Sequence, residues 1–145
     1  HKNHKGMQFH TEPPLQFKLK DPTKIKKWLN NVIETENHEA GAINYIFCTD
    51  EYLYNINMEY LQHDTYTDII TFDNSEEENL IESDMFISIE RIQDNAKQRN
   101  IPFETELQRV LVHGILHLLG HNDKTDEQKV AMRKTEDHYL ALYES

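Results

Sequence analysis

The run Leu107 to Asp123, LQRVLVHGILHLLGHND, is the most apolar stretch of a polar chain, yet it carries two histidines four residues apart. Leu107, Val110, Leu111, Val112, Ile115, Leu116, Leu118 and Leu119 cover nearly the whole circumference of a helix predicted over Glu104 to Leu119. Such a helix must be buried on most sides, so the other elements have to be arranged around it. Gly120 suits the left-handed residue that closes a helix, and it lets the chain turn back with Asp123 three residues further on.

Residues four apart on a helix differ by about 40° in direction, so His113 and His117 lie one above the other and can share one ion. Two imidazoles facing each other in an apolar helix need such a reason. With Asp123 they make a three-ligand set that leaves one coordination position open for water, the arrangement of a catalytic zinc. His121 and Asn122 lie in the same turn and can serve as ligand, as a supporting hydrogen-bond donor, or as neither. The spacing HxxxHxxGxxD parallels the zinc-peptidase pattern HExxHxxGxxH. Residue 114 is Gly, however, so the general base that peptidases place beside the first histidine is missing, and a peptidase is disfavoured.

The chain has 145 residues, which suits one domain around one core. Its apolar residues fall into periodic segments separated by short polar ones, as in a globular protein. The net charge of −11 repels a phosphate backbone on average, so DNA is not expected and an RNA partner requires a local basic patch. Cys48 is the single cysteine, cannot form an internal disulfide, and reads as a small buried hydrophobe in a reducing compartment. No segment approaches the ~18 to 20 apolar residues that cross a bilayer, so a cytoplasmic protein without membrane attachment is expected. The opening HKNHKG reads as an added leader over residues 1–6 ahead of a start at Met7. Residues 7–145 then form the single domain, and His1 and His4 stay outside the functional argument.

Along the chain, alternation of Leu15, Phe17 and Leu19 suggests a strand within Met7 to Leu19, interrupted by Pro13 and Pro14. Asp21-Pro22 opens a predicted helix to about Glu36 with Ile25, Trp28, Leu29, Val32 and Ile33 on its buried face. Ala42 to Cys48 reads as a central strand, followed by a Thr49-capped helix to about Leu61, a turn at His63 to Tyr66, and a strand from Asp68 to Asp73. An acidic hairpin tip from Asn74 to Ser83 leads into a strand from Asp84 to Ile89. Ser88 caps a helix to about Arg99, and Thr125-Asp-Glu-Gln128 is a capping box for a last helix to about Tyr143. The expected architecture is a single-domain α/β (α+β) fold. It has a four-stranded mixed sheet and four to five helices, with the histidine pair on the central buried helix.

HGILHLLGHND resembles the HGxLHLxGxDH signature of the YbeY family of bacterial endoribonucleases. Tyr60 with the HDTYTDIITFD run is similar to that family's YRxxDxPTDVLSF, the DMFIS strand to its GDIxIS, and the helix with Glu106 and Leu107 likewise leads into the first histidine. The resemblance covers most of Met7 to Tyr143. It implies a zinc-dependent hydrolase, one ion per chain, that cuts single-stranded RNA in the cytoplasm. The implied role is ribosomal RNA maturation at the 16S 3′ end and ribosome quality control, with the small ribosomal subunit or its proteins as partners.

Three positions depart from the family pattern. Its usual third histidine falls on Asp123 and its usual tyrosine on His121, so the expectation is that Asp123 is the third ligand and His121 is not. Its usual arginine falls on Leu61, so a phosphate contact must come from elsewhere, with Lys124, Arg91, Lys97 and Arg99 as candidates. Thr67 and Asp68 match the family's TD pair and Asp84 its strand aspartate. These carboxylates can orient a ligand histidine, line the substrate cleft, or simply cap a strand or turn. Tyr60, Tyr66 and Phe72 can stack on unpaired bases or belong to the core. The competing readings are a zinc peptidase-like hydrolase and a non-catalytic ribosome assembly factor with a structural metal.

Overall fold

The structure is a computed structural model and describes residues 6–144. Residues 1–5 of the expected leader, including His1 and His4, lie outside the described residues. The elements run β1 (Met7–Thr11), α1 (Pro22–Thr35), β2 (Glu39–Cys48), α2 (Asp50–Leu61), β3 (Ile69–Asp73), β4 (Leu80–Ser88), α3 (Ile89–Arg99), α4 (Phe103–Leu118) and α5 (Asp126–Glu144). The strands form one sheet in the order β1-β2-β4-β3. β1, β2 and β4 are parallel, and β3 returns antiparallel to β4 as a hairpin. This is the mixed four-stranded α/β fold expected from the sequence, with five helices among the described residues.

Side-chain alternation divides the sheet into two faces. Ile43, Tyr45 and Phe47 of β2 and Ile81, Met85 and Ile87 of β4 join the main core with α1, α4 and α5. On the opposite face Ile70 packs with Leu53 and Ile56 of α2 and with the flanking Phe72 and Phe86. α4 is pinned to the first face by the Tyr45 hydroxyl, which donates to the Leu111 carbonyl at 2.7 Å. Trp28 Nε1 donates to the Tyr139 carbonyl at 2.7 Å and ties α1 to α5. The buried face of α1 is the expected one: Ile25, Trp28, Leu29, Val32 and Ile33.

Three local expectations are corrected. The segment from Leu15 to Leu19 is not a strand; β1 is the earlier Met7–Thr11. Pro13 and Pro14 have no N–H to extend the ladder, and the alternation there reflects burial of Leu19 and packing of Phe17 edge-on to Phe47. Asp21 makes no side-chain cap and instead adopts a left-handed backbone, φ 53°. β4 begins at Leu80, so the acidic tip is shorter than expected; it is closed by Asn74 N donating to the Glu82 carbonyl at 2.8 Å.

The caps on the other helices follow the sequence. Thr49 Oγ1 accepts from Tyr52 N and Ser88 Oγ from Arg91 N, each at 3.1 Å. The capping box is reciprocal: Thr125 Oγ1 accepts from Gln128 N at 3.1 Å, and Gln128 Oε1 accepts from Thr125 N at 3.1 Å. Gly120 has φ 101°, the left-handed region. Burial, together with the nearby carboxylates of Glu12, Asp50 and Glu90, pushes the Cys48 thiol up to about 12, so it is an inert core residue. Among the described residues no helix is long and apolar enough to cross a membrane.

Candidate metal centre

Gly114 decides how α4 meets the sheet. A Cβ on it would stand 2.6 Å from Met85 Sδ and 2.9 Å from Ile69 Cδ1, so the helix backbone lies directly against β3 and β4 at this point. There is no space for the glutamate that a zinc peptidase carries here. The missing base is therefore a packing requirement of this fold, and His113 and His117 are left to emerge beside the contact. His113 is half-buried and His117 is exposed.

His113 is held from behind. Its Nδ1 donates to Glu136 Oε2 at 2.7 Å, while its Nε2 lies 3.5 Å from Asp123 Oδ2. Glu136 is buried on α5, and its other oxygen accepts from Arg109 Nη1 at 2.9 Å. Arg109 Nη2 donates in turn to Asp137 at 2.7 Å. The Glu136 hydrogen bond raises the imidazole above its ordinary value against the opposing effect of burial, and the charges of Glu136, Asp123 and Asp68 add to the rise. A carboxylate on Nδ1 fixes the tautomer and leaves Nε2 as the nitrogen facing Asp123.

His113, His117 and Asp123 line one cleft, together with Asn57, Leu61 and His63 among others. Two imidazoles and a carboxylate suit a zinc ion by donor chemistry, and the Glu136 support on His113 is what a ligating imidazole usually has. Among the described residues, though, no group of three or more His, Cys, Asp and Glu is gathered closely enough to hold an ion without adjustment. The His117 ring makes no hydrogen bond or ion pair among the described residues.

The other sequence-predicted residues separate. His121 Nε2 bonds Glu36 Oε1 at 3.0 Å, and Glu36 Oε2 accepts from the Tyr139 hydroxyl at 2.7 Å. Burial alone would raise the Glu36 carboxyl, but these bonds from Tyr139 and His121 take it below its ordinary value. His121 is thus tied to the end of α1, and Asp123, not His121, shares the cleft with the pair. Asp68 does line the groove beside His113. Burial raises its carboxyl, opposed by His113 and Arg99, and Asn95 Nδ2 donates to it at 3.4 Å.

Asp84 does not belong to the site. It lies on the opposite face of the sheet from Met85, accepting from Asn44 and Asn74 at 3.1 Å each. Lys124 is exposed, and its backbone N–H serves the α5 cap. Arg91 is committed to Asp50 at 2.7 Å and Lys97 lines other depressions; Arg99 alone of that set reaches the groove. Phe72 packs in the smaller core, Tyr66 stacks on Tyr54, and Tyr60 is 64% exposed.

Two residues escaped the sequence reading. Glu136 had a signal: with Met132, Leu140 and Tyr143 it falls on the buried stripe of α5, where an unpaired carboxylate would be costly. His63 had none, since it reaches the cleft only through the fold of the turn that precedes β3.

Fold and site together define a single-domain α/β protein built around a helix-borne histidine pair with a following carboxylate. The family described as endoribonuclease YbeY matches residues 14–144, and the chain belongs to that family. It is 50% identical over 127 residues to an endoribonuclease YbeY of Cytophaga hutchinsonii, covering 88% of this chain and 89% of that one. It is 51% identical over 128 residues to one of Flavobacterium johnsoniae, covering 88% and 91%. A solution structure from Thermotoga maritima shares the fold, with a TM-score of 0.65 at 23% identity over 94% of this chain and 88% of that one.

Proposed function

We propose that the chain is a zinc-dependent endoribonuclease specific for single-stranded RNA. It acts in the cytoplasm on ribosomal RNA, in 16S 3′-end maturation and ribosome quality control, and meets its substrate on the small ribosomal subunit or its proteins. Membership of a family whose curated relatives are named endoribonuclease supports the reaction class. One observation carries the site: His113 is clamped at Nδ1 by Glu136 at 2.7 Å, with Nε2 turned to Asp123 in the cleft that His117 also lines.

His113, His117 and Asp123 would hold the ion, which when bound supplies Lewis-acid chemistry for phosphodiester hydrolysis. Glu136 keeps His113 in the tautomer that leaves Nε2 free, and the 2.9 Å bond from Arg109 holds Glu136 in place. Asp123 brings a negative charge that a third imidazole would not, which makes the centre less electrophilic. A peptidase is opposed by the contact of Gly114 with β3 and β4.

The test is metal analysis together with cleavage of a defined single-stranded RNA by wild type, His117→Ala, Asp123→Ala and His121→Ala. Expected are one zinc per chain and cleavage for wild type and His121→Ala, and loss of both in the other two. Equal cutting by all four sinks the assignment. Loss of zinc by His117→Ala with RNA binding and cellular rescue intact would instead establish a structural metal in an assembly factor.

A further inference from the structure

The groove does not end at the histidines. Beyond His113 and Asp123 it continues along α5, and four of the chain's 15 Lys and Arg line that continuation: Arg99, Arg109, Lys129 and Arg133. The other arm of the groove, past His117, is lined by Leu61, His63, Thr65 and Thr67 and has no lysine or arginine among the described residues. In a chain of net charge −11 this one-sided concentration of cations is a local exception.

Two of the four cations are engaged by buried carboxylates. Arg99 Nη1 bonds Glu106 at 2.7 Å, and Arg109 bonds Glu136 at 2.9 Å and Asp137 at 2.7 Å. Lys129 and Arg133 make no ion pair among the described residues and are exposed. Four apart on α5, they stand one above the other on the side of the helix that Glu136 continues three residues later. Of the acids in this arm, Glu106 and Glu136 are neutralised by their arginines and Asp123 belongs to the ligand set, which leaves the half-buried Asp68 against two free cations.

We infer that Lys129 and Arg133 hold a backbone phosphate of single-stranded RNA on the α5 side of the scissile bond. The strand then runs from the uncharged arm, past His113 and Asp123, to α5. This inference rests on the ribonuclease reading and gives the strand its direction of electrostatic anchorage. Phosphate neutralisation by two cations also makes the binding salt-dependent, because each contact releases counterions.

The experiment measures binding of a fluorescent single-stranded RNA oligonucleotide to His117→Ala, which keeps the α5 arm intact, over a series of salt concentrations. Lys129→Gln/Arg133→Gln is then added to that background, with Lys134→Gln as a control for net charge. Expected for the pair is at least tenfold weaker binding, and a slope of log affinity against log salt reduced by about 0.7, the value for one phosphate on a single strand. Lys134→Gln should change neither. In the otherwise wild-type chain the pair should raise KM with kcat within threefold, and circular dichroism and a urea midpoint report that it folds. Unaltered affinity and slope in the pair overturn the phosphate site while wild-type cleavage leaves the ribonuclease reading standing. Wild-type chain that binds but does not cut fails that reading, and the phosphate site is then decided by the pair's slope alone. No RNA binding at all overturns both.

Discussion

His113 Nδ1 and Glu136 Oε2 are 2.7 Å apart although 23 residues separate them, and this contact between α4 and α5 sets which ring nitrogen faces the cleft. Glu136→Gln keeps the shape but can offer either an oxygen or an N–H to the ring, so the tautomer is no longer enforced. Loss of such a supporting partner typically costs ~10- to 100-fold in metal affinity or activity. A chelator-competition titration should show zinc affinity lowered by that order, with the urea midpoint moved far less than by Glu136→Ala. Zinc affinity equal to wild type in Glu136→Gln would mean that the contact only joins two helices.

The same contact makes the metal-free chain sensitive to pH. The folded pKa of His113 is raised, first by the Glu136 bond, over an ordinary value near ~6.5. Its contribution to stability is therefore fully present below that ordinary value, and it is lost as pH rises through the higher folded one. Urea midpoints of chelator-treated wild type minus those of His113→Asn should fall between pH 6 and pH 9. A difference that is flat, or that grows with pH, would contradict the raised value.

Gly114→Ala tests the packing argument against helix propensity. Alanine gains roughly 1 kcal/mol over glycine in a helix interior, and overpacking a core typically costs ~1 to 3 kcal/mol. Since the added carbon would sit 2.6 Å from Met85 Sδ and 2.9 Å from Ile69 Cδ1, the cost should dominate. A lower urea midpoint is expected, restored in part by Met85→Ala in the same chain. A midpoint above wild type would show that α4 has room to move off the sheet.

Local patterns made the core helix, its histidine pair, the capping residues of α2, α3 and α5 and the buried face of α1 legible, because each is set within a turn or two of chain. The place of Asp123 in the cleft beside the pair was legible too, through the Gly120 stop. The roles of His121 and Asp84 were not. His121 is decided by Glu36, 85 residues away, and Asp84 by which face of β4 meets α4. Strand alternation shows that two faces exist but not which one the histidine helix covers. Leu15 to Leu19 misled for a related reason, since alternating burial under loop packing has the same period as a strand.

Asp68 separates structural from functional use of a buried carboxyl. Its pKa is raised, chiefly by burial, with His113 and Arg99 pulling the other way, so the ionised form is disfavoured in the fold. For such a group the favourable state is complete below the ordinary value near ~3.9, and stability declines as pH rises through the folded one. Asp68→Asn keeps an oxygen for Asn95 and removes that ionisation, so its urea midpoint should exceed wild type at pH 8 and converge with it towards pH 4. Asp68 also lines the groove beside His113, where a charge that costs stability is retained only if the site uses it. Cleavage of single-stranded RNA by Asp68→Asn should accordingly drop by about tenfold or more while the protein becomes more stable, since loss of a group that supports a ligating histidine typically costs ~10- to 100-fold. A more stable variant that cuts at the wild-type rate would leave Asp68 a strand-end residue and nothing more, whereas a midpoint at or below wild type at pH 8 would show that its burial carries no penalty.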